Sequence, residues 1–209
     1  MPSSRFLAVL LATGLQVLIC CTQTFAQISA MVPKVTTRAV VIGVSNYPNI
    51  AKLRFADRDA EAFAEYLRSP AGGSTPAENI RLLTNEKATY PQIISALSWL
   101  IAESLEGDQA IIYFSGHGDV ETQITKEGYL LAYDVYKNNY AAGGALSIHS
   151  LQRAITNLSQ EKQVQILLIA DACRSGNLAG SESNGSKTTA LALAAQFDKE
   201  VKILSCGAE

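Results

Sequence analysis

The chain has 209 residues, 48% of them hydrophobic, and 17 Lys and Arg set against 19 Asp and Glu give a formal net charge of −2 and a pI near 5.8. That balance carries no electrostatic footprint for nucleic acid, and the length suits one well-buried α/β domain better than two. Of the four cysteines, Cys20 and Cys21 fall in an N-terminal apolar run, which leaves Cys173 and Cys206 for the rest of the chain.

The first element is read as a targeting segment. Arg5 precedes the apolar run Phe6–Cys21, and Thr24-Phe25-Ala26 offers small residues where a signal peptidase reads. Thr13, Gly14 and Gln16 interrupt the run, which favours a signal peptide over a membrane anchor. Cys20-Cys21 would suit lipoprotein processing, but Ile19 is bulky where a small residue is needed. Cleavage is expected after Ala26. This divides the chain into a signal peptide (1–26), a short N-terminal segment (27–35) and one domain (36–209), with the product secreted or periplasmic and off the membrane.

Arg38–Val44, with β-branched Val40, Val41, Ile42 and Val44, predicts a first strand. A helix is expected over Ala56–Ser69, with Ala56, Ala60, Phe63, Ala64 and Leu67 on one face. Ile80–Leu83 reads as a short strand. A second helix begins at Thr89, carries Pro91 in its first turn and buries Ile93, Ile94, Leu97, Leu100 and Ile101. Tyr129–Ala132 is read as one arm of a hairpin, and a third helix after Ser147 uses Leu151, Ile155 and Leu158. Lys202–Ser205 ends the series as a strand. Strands alternating with amphipathic helices imply right-handed crossovers and a three-layer αβα sandwich around a mostly parallel sheet.

Two further strands carry the chemistry. Ala110-Ile111-Ile112-Tyr113-Phe114 runs into Ser115-Gly116-His117-Gly118, and Val164–Ala170 runs into Asp171-Ala172-Cys173-Arg174-Ser175-Gly176. Near-continuous apolar runs read as strands covered on both faces, and open α/β sheets bind ligands beyond the carboxyl ends of their strands. A histidine and a cysteine delivered there are what a thiol nucleophile and its base require. Cys173 lies in a polar loop rather than a core, and Gly116 and Gly118 let the backbone around His117 turn sharply. The other histidine, His149 in Ser147-Ile148-His149-Ser150, stands at a helix start and is expected to be a surface or capping residue. A Cys173–Cys206 disulfide would abolish the nucleophile, so none is expected. The loop Asn177–Thr189 is expected on the surface.

With these paired motifs the chain resembles the caspase-like cysteine peptidases of clan CD, family C14, and within them the metacaspases and bacterial caspase-like proteins. The His-before-Cys order at about 50 residues is the caspase arrangement. Asp171-Ala172-Cys173-Arg174-Ser175-Gly176 is closer to the metacaspase pattern than to the animal caspase form. The resemblance covers roughly residues 36–209. It implies a caspase-like fold, polypeptide substrates, a Cys173/His117 dyad and an oxyanion hole built from the backbone N–H groups of Gly118 and Cys173.

The resemblance also implies an S1 pocket lined by Asp171, Asp59 and Ser115, which would favour Arg or Lys at P1 and repel aspartate. Asp59 read from its residues alone is a helix-start carboxylate favoured by the dipole. Many metacaspases need calcium, yet Asp119, Glu121 and Glu127 show no spacing that specifies an oxygen cage, so neither a metal ligand set nor a cofactor is assigned. Clan members continue past the final strand with a helix and strand that close the sheet, which implies a truncated C-terminal edge here. The rival reading is a catalytically silent caspase-like module that binds a peptide or partner along an open sheet edge.

Overall fold

The computed structural model describes residues 35–121, 123–137 and 139–172, together with the backbone of 201–206. Five parallel strands make the main sheet: β1 (Thr37–Gly43), β2 (Ile80–Thr84), β3 (Gln109–Gly116), β7 (Gln165–Ala172) and β8 (Val201–Cys206), in the order β2-β1-β3-β7-β8. A second sheet is antiparallel, with β4 (Gly118–Glu121), β5 (Glu127–Leu131) and β6 (Ala145–Ser147) in sequence order. The helices are α1 (Ala56–Arg68), α2 (Tyr90–Glu103) and α3 (Ile148–Thr156).

The two faces of the main sheet explain its sandwich form. Side chains alternate along a strand, so Val40, Ile42, Ala110, Ile112, Phe114, Ile166 and Leu168 join Ile93, Leu97 and Leu100 of α2 and Leu151 and Ile155 of α3 in one core. Ala39, Val41, Ile111 and Tyr113 pack instead with Ala60, Ala64 and Leu67 of α1. Contact on the α1 side is close. A Cβ at Gly43 would come within 2.3 Å of the Ala56 carbonyl oxygen and 2.5 Å of the Ala60 Cβ, so only glycine lets α1 lie this near β1. Phe63 stacks on Tyr113 at 4.6 Å between ring centroids and secures the same helix to β3.

Most predicted elements recur, with differences at their ends. Thr89 is the N-cap of α2 and not its first residue, and Pro91 falls within the first two positions, where its missing N–H is harmless. Along α2, Ala96 takes a fully buried position while Ile94 and Ile101 are only partly buried. Leu158 is buried as expected, but it lies beyond α3 in a π-helical turn, Asn157–Glu161. The expected single hairpin is a three-stranded sheet, because Ala145–Ser147 returns to pair with Tyr129–Leu131. The signal segment, the 177–189 loop and Cys173 lie outside the described residues. No helix among the described residues is long and apolar enough to cross a membrane.

The strand order positions the site. The chain leaves β1 for β2 on one side and returns to β3 on the other, so β1 and β3 are adjacent but their connections diverge. A crevice opens at the carboxyl ends of two such strands.

Candidate active site

His117 follows β3 and precedes β4, at the junction of the two sheets. Its backbone is held on both sides: the N–H donates to the Tyr47 hydroxyl at 2.9 Å, and the carbonyl accepts from the Leu131 N–H at 2.9 Å. The ring Nε2 lies 2.9 Å from the Ala51 carbonyl oxygen. A carbonyl only accepts, so Nε2 carries the proton and Nδ1 retains its lone pair in the neutral ring. The ring also packs against Tyr47 at 5.0 Å.

Gly118 opens β4 opposite Leu130. The Leu131 N–H to His117 carbonyl bond makes Gly118 and Leu130 a non-hydrogen-bonded pair. The Gly118 N–H therefore points away from the β5 ladder, as a donor for an oxyanion must.

The acidic side of the site comes from three elements. Ser115 on β3 is buried and pairs in register with Asp171 on β7. By the alternation of the strands both fall on the α1 face, where the first turn of α1 carries Asp59. Asp171 is half-buried and Asp59 is exposed. Burial first, and then the negative charge of Asp59, push the Asp171 carboxyl above its ordinary value. The two acids predicted to share a pocket thus feel one another.

Sequence reading missed the residues that brace this corner. The Ser45 hydroxyl donates to Asp57 Oδ1 at 2.7 Å, and the Asn85 amide donates to Asp57 Oδ2 at 2.9 Å. Asn85 Oδ1 in turn accepts from the N–H groups of Ser45 and Asn46 at 3.0 and 2.9 Å. Burial alone would raise the Asp57 pKa, but the hydrogen bonds from Ser45 and Asn85 outweigh it and the carboxyl is lowered. Asn85 adopts φ +47, a left-handed conformation that asparagine tolerates. Tyr47 was missed too, because a lone tyrosine after a strand has no sequence signature of its partners.

The remaining predicted residues lie elsewhere. His149 is exposed, and its backbone N–H donates to Glu127 at 2.8 Å, while Ser147 caps α3. Asp119 accepts from the Tyr140 hydroxyl at 2.7 Å. Glu121 gathers the N–H groups of Gln123, Ile124 and Thr125, which lower its pKa to about 2. The three acids after the histidine thus serve separate partners, and among the described residues no group of three or more His, Cys, Asp or Glu side chains could hold a metal ion.

Comparison with known proteins agrees with this architecture. A family model of the caspase domain, Peptidase C14, matches residues 36–205. The chain is 26% identical over 151 residues to metacaspase-1A of Aspergillus oryzae, covering 68% of this chain and 35% of that protein. It is 27% identical over 149 residues to metacaspase-1 of Plasmodium falciparum, covering 67% of this chain and 24% of the relative. A probable protease from a Desulfuromonadales bacterium is 29% identical over 152 residues, covering 65% of this chain and 18% of its own length. The chain thus spans about a third or less of the curated relatives it matches. A crystal structure of a Geobacter sulfurreducens protein shares the fold with a TM-score of 0.52 at 19% identity, covering 66% of this chain and 50% of that one.

Proposed function

The chain belongs to the caspase-domain family, peptidase C14, and from that premise we propose that it is a cysteine-type endopeptidase with a Cys173/His117 dyad that cleaves after Arg or Lys. The reading is supported by the position of His117 just beyond β3 and of Asp171 near the carboxyl end of the neighbouring β7, with Asp59 near enough to raise the Asp171 carboxyl. In the proposed reaction Nδ1 of His117 takes the Cys173 thiol proton while Nε2 stays donated to Ala51. The thiolate sulfur attacks the scissile carbonyl carbon, and the N–H groups of Gly118 and Cys173 receive the developing oxyanion. His117 then gives its proton to the leaving amine, the C–N bond breaks, and water hydrolyses the thioester to return the thiol.

Support for a basic P1 side chain is electrostatic. Two carboxylates that repel one another gain from a cation placed between them, and a guanidinium satisfies carboxylates with short charge-assisted bonds. An aspartate at P1 would add a third negative charge.

Fluorogenic peptides with Arg, Lys or Asp at P1 test the reading in wild type, Cys173→Ala and His117→Ala. Hydrolysis of the Arg and Lys peptides, lost in both variants, is expected. Activity that survives Cys173→Ala, or that prefers Asp, overturns it. Export is proposed as well, with Gln27 as the mature N-terminus. An intact mass lacking residues 1–26 in protein secreted from a bacterial host is the expected result, and a full-length mass in the membrane fraction refutes it.

A further inference from the structure

We propose that Tyr47 is a positioning residue for the reaction: its buried hydroxyl fixes the peptide plane of His117 and with it the direction of the imidazole. This rests on the peptidase reading above. Tyr47 is 1% exposed and lies in the loop after β1, far in sequence from the residues it holds.

The polarity of its bonds is forced. The His117 N–H can only donate, so the Tyr47 oxygen accepts from it at 2.9 Å, and the hydroxyl hydrogen is left for the Leu131 carbonyl at 3.0 Å. One hydroxyl therefore joins the end of β3 to β5, at the turn that carries the histidine. The same turn is shaped around it: a Cβ at Gly116 would lie 2.7 Å from the Tyr47 oxygen, so the residue before the histidine is bare where the hydroxyl enters.

Tyr47 and Ala51 belong to one short loop, closed by the Leu53 N–H to Ser45 carbonyl bond at 2.9 Å. Asn49 anchors its middle by donating to the Val135 carbonyl at 3.1 Å. Tyr47 holds the His117 backbone and Ala51 holds the far nitrogen of its ring. With both ends of the residue clamped by one loop, the ring has a single orientation and a single tautomer. Losing the hydroxyl frees the peptide plane, and the Nε2 bond to Ala51 loosens with it. Small misplacements of a catalytic group are costly because reaction needs near-attack geometry.

The test is Tyr47→Phe, which keeps the ring packing and removes only the hydroxyl. With Arg-P1 peptides kcat should fall by about tenfold or more while KM stays within about twofold, the pattern of a loss confined to the transition state. The decisive readout is the imidazole nitrogen spectrum of His117. The chain has only two histidines, so His149→Gln assigns the signals. Wild type should show the Nε2–H tautomer alone, and Tyr47→Phe a mixture. A single unchanged tautomer in a folded Tyr47→Phe protein overturns the proposal. A changed tautomer supports it even if wild type cleaves no peptide, in which case only the peptidase reading fails. Should Tyr47→Phe not fold, wild-type amide exchange decides: the His117 N–H must be protected, and exchange at the rate of an open loop overturns the proposal.

Discussion

Ser115 on β3 and Asp171 on β7 stand side by side in register at the carboxyl end of the sheet, and both fall on the face that α1 covers. The hydroxyl is buried, and the carboxyl beside it is held above its ordinary pKa by burial and by Asp59. Two acids that raise one another's cost of ionisation in this way create an electrostatic demand that a substrate cation would meet.

Asp171→Asn keeps the side-chain size and removes one charge. Catalytic efficiency on Arg-P1 peptides should fall by at least about tenfold, since stripping one partner from a desolvated charge pair typically costs about 2–5 kcal/mol. Labelling of Cys173 by a small uncharged alkylator should change far less. If both fall together, Asp171 supports the nucleophile's surroundings and not the specificity pocket.

The same carboxyl predicts a pH dependence with two opposite signs. Protonation removes its attraction for a cation, so efficiency on Arg peptides should drop as pH falls through a value above the ordinary 3.8. Stability moves the other way. A carboxyl whose folded pKa is raised binds its proton more tightly in the folded state, so this group's contribution improves as pH falls toward 3.8 and is unfavourable at neutral pH. Asp171→Asn should therefore melt no lower than wild type at pH 7 while losing activity. A clear fall in Tm at pH 7 contradicts this.

Gly43→Ala should destabilise the domain and disturb the acidic corner together. The new methyl meets the Ala56 carbonyl at 2.3 Å and the Ala60 Cβ at 2.5 Å, both on the backbone or its first carbon, so α1 must move. Overpacking of this kind costs about 1–3 kcal/mol, readable from urea denaturation. Because α1 carries Asp59, preference for Arg over a neutral P1 residue should narrow in whatever protein remains folded.

At the opposite end of the sheet, Asp108 accepts from the Thr36 and Leu105 N–H groups at 2.9 Å each and from Arg38 at 2.6 Å. Burial alone would raise its pKa; the two backbone donors and the guanidinium reverse this and lower it below 3.8. A lowered folded pKa means stability that is present above 3.8 and lost as pH falls through the folded value. Asp108→Asn should cost about 1–3 kcal/mol at pH 7, since it leaves the partly buried Arg38 without its counter-charge. The variant should also lose less further stability on acidification than wild type. Equal acid slopes in the two proteins would show that other carboxylates set that limb.

Much of the fold was legible because period and composition are local. The β-branched run at Val40–Val44 and the stripe Ala56, Ala60, Ala64 and Leu67 declare a buried strand and a one-faced helix whatever they pack against. Gly116-His117-Gly118 at the end of an apolar run likewise places a histidine beyond the carboxyl end of a strand, where the structure has it. The strand Ala145–Ser147 was not legible, because three residues carry no period and their pairing with Tyr129–Leu131 is decided at a distance.

The sequence by itself determined which residues are chemically able to act: a cysteine and a histidine at strand ends, and acids at Asp59 and Asp171. Only the tertiary structure decided which of them meet. Asp59 reaches the field of Asp171 because Gly43 lets α1 lie against β1, and His117 is aimed because Tyr47 and Ala51, dozens of residues away, close on it from one loop. Such contacts have no local period to betray them. They arise when burial of the two apolar cores brings distant strand ends together, and the hydrogen bonds form only between groups that this packing has already placed.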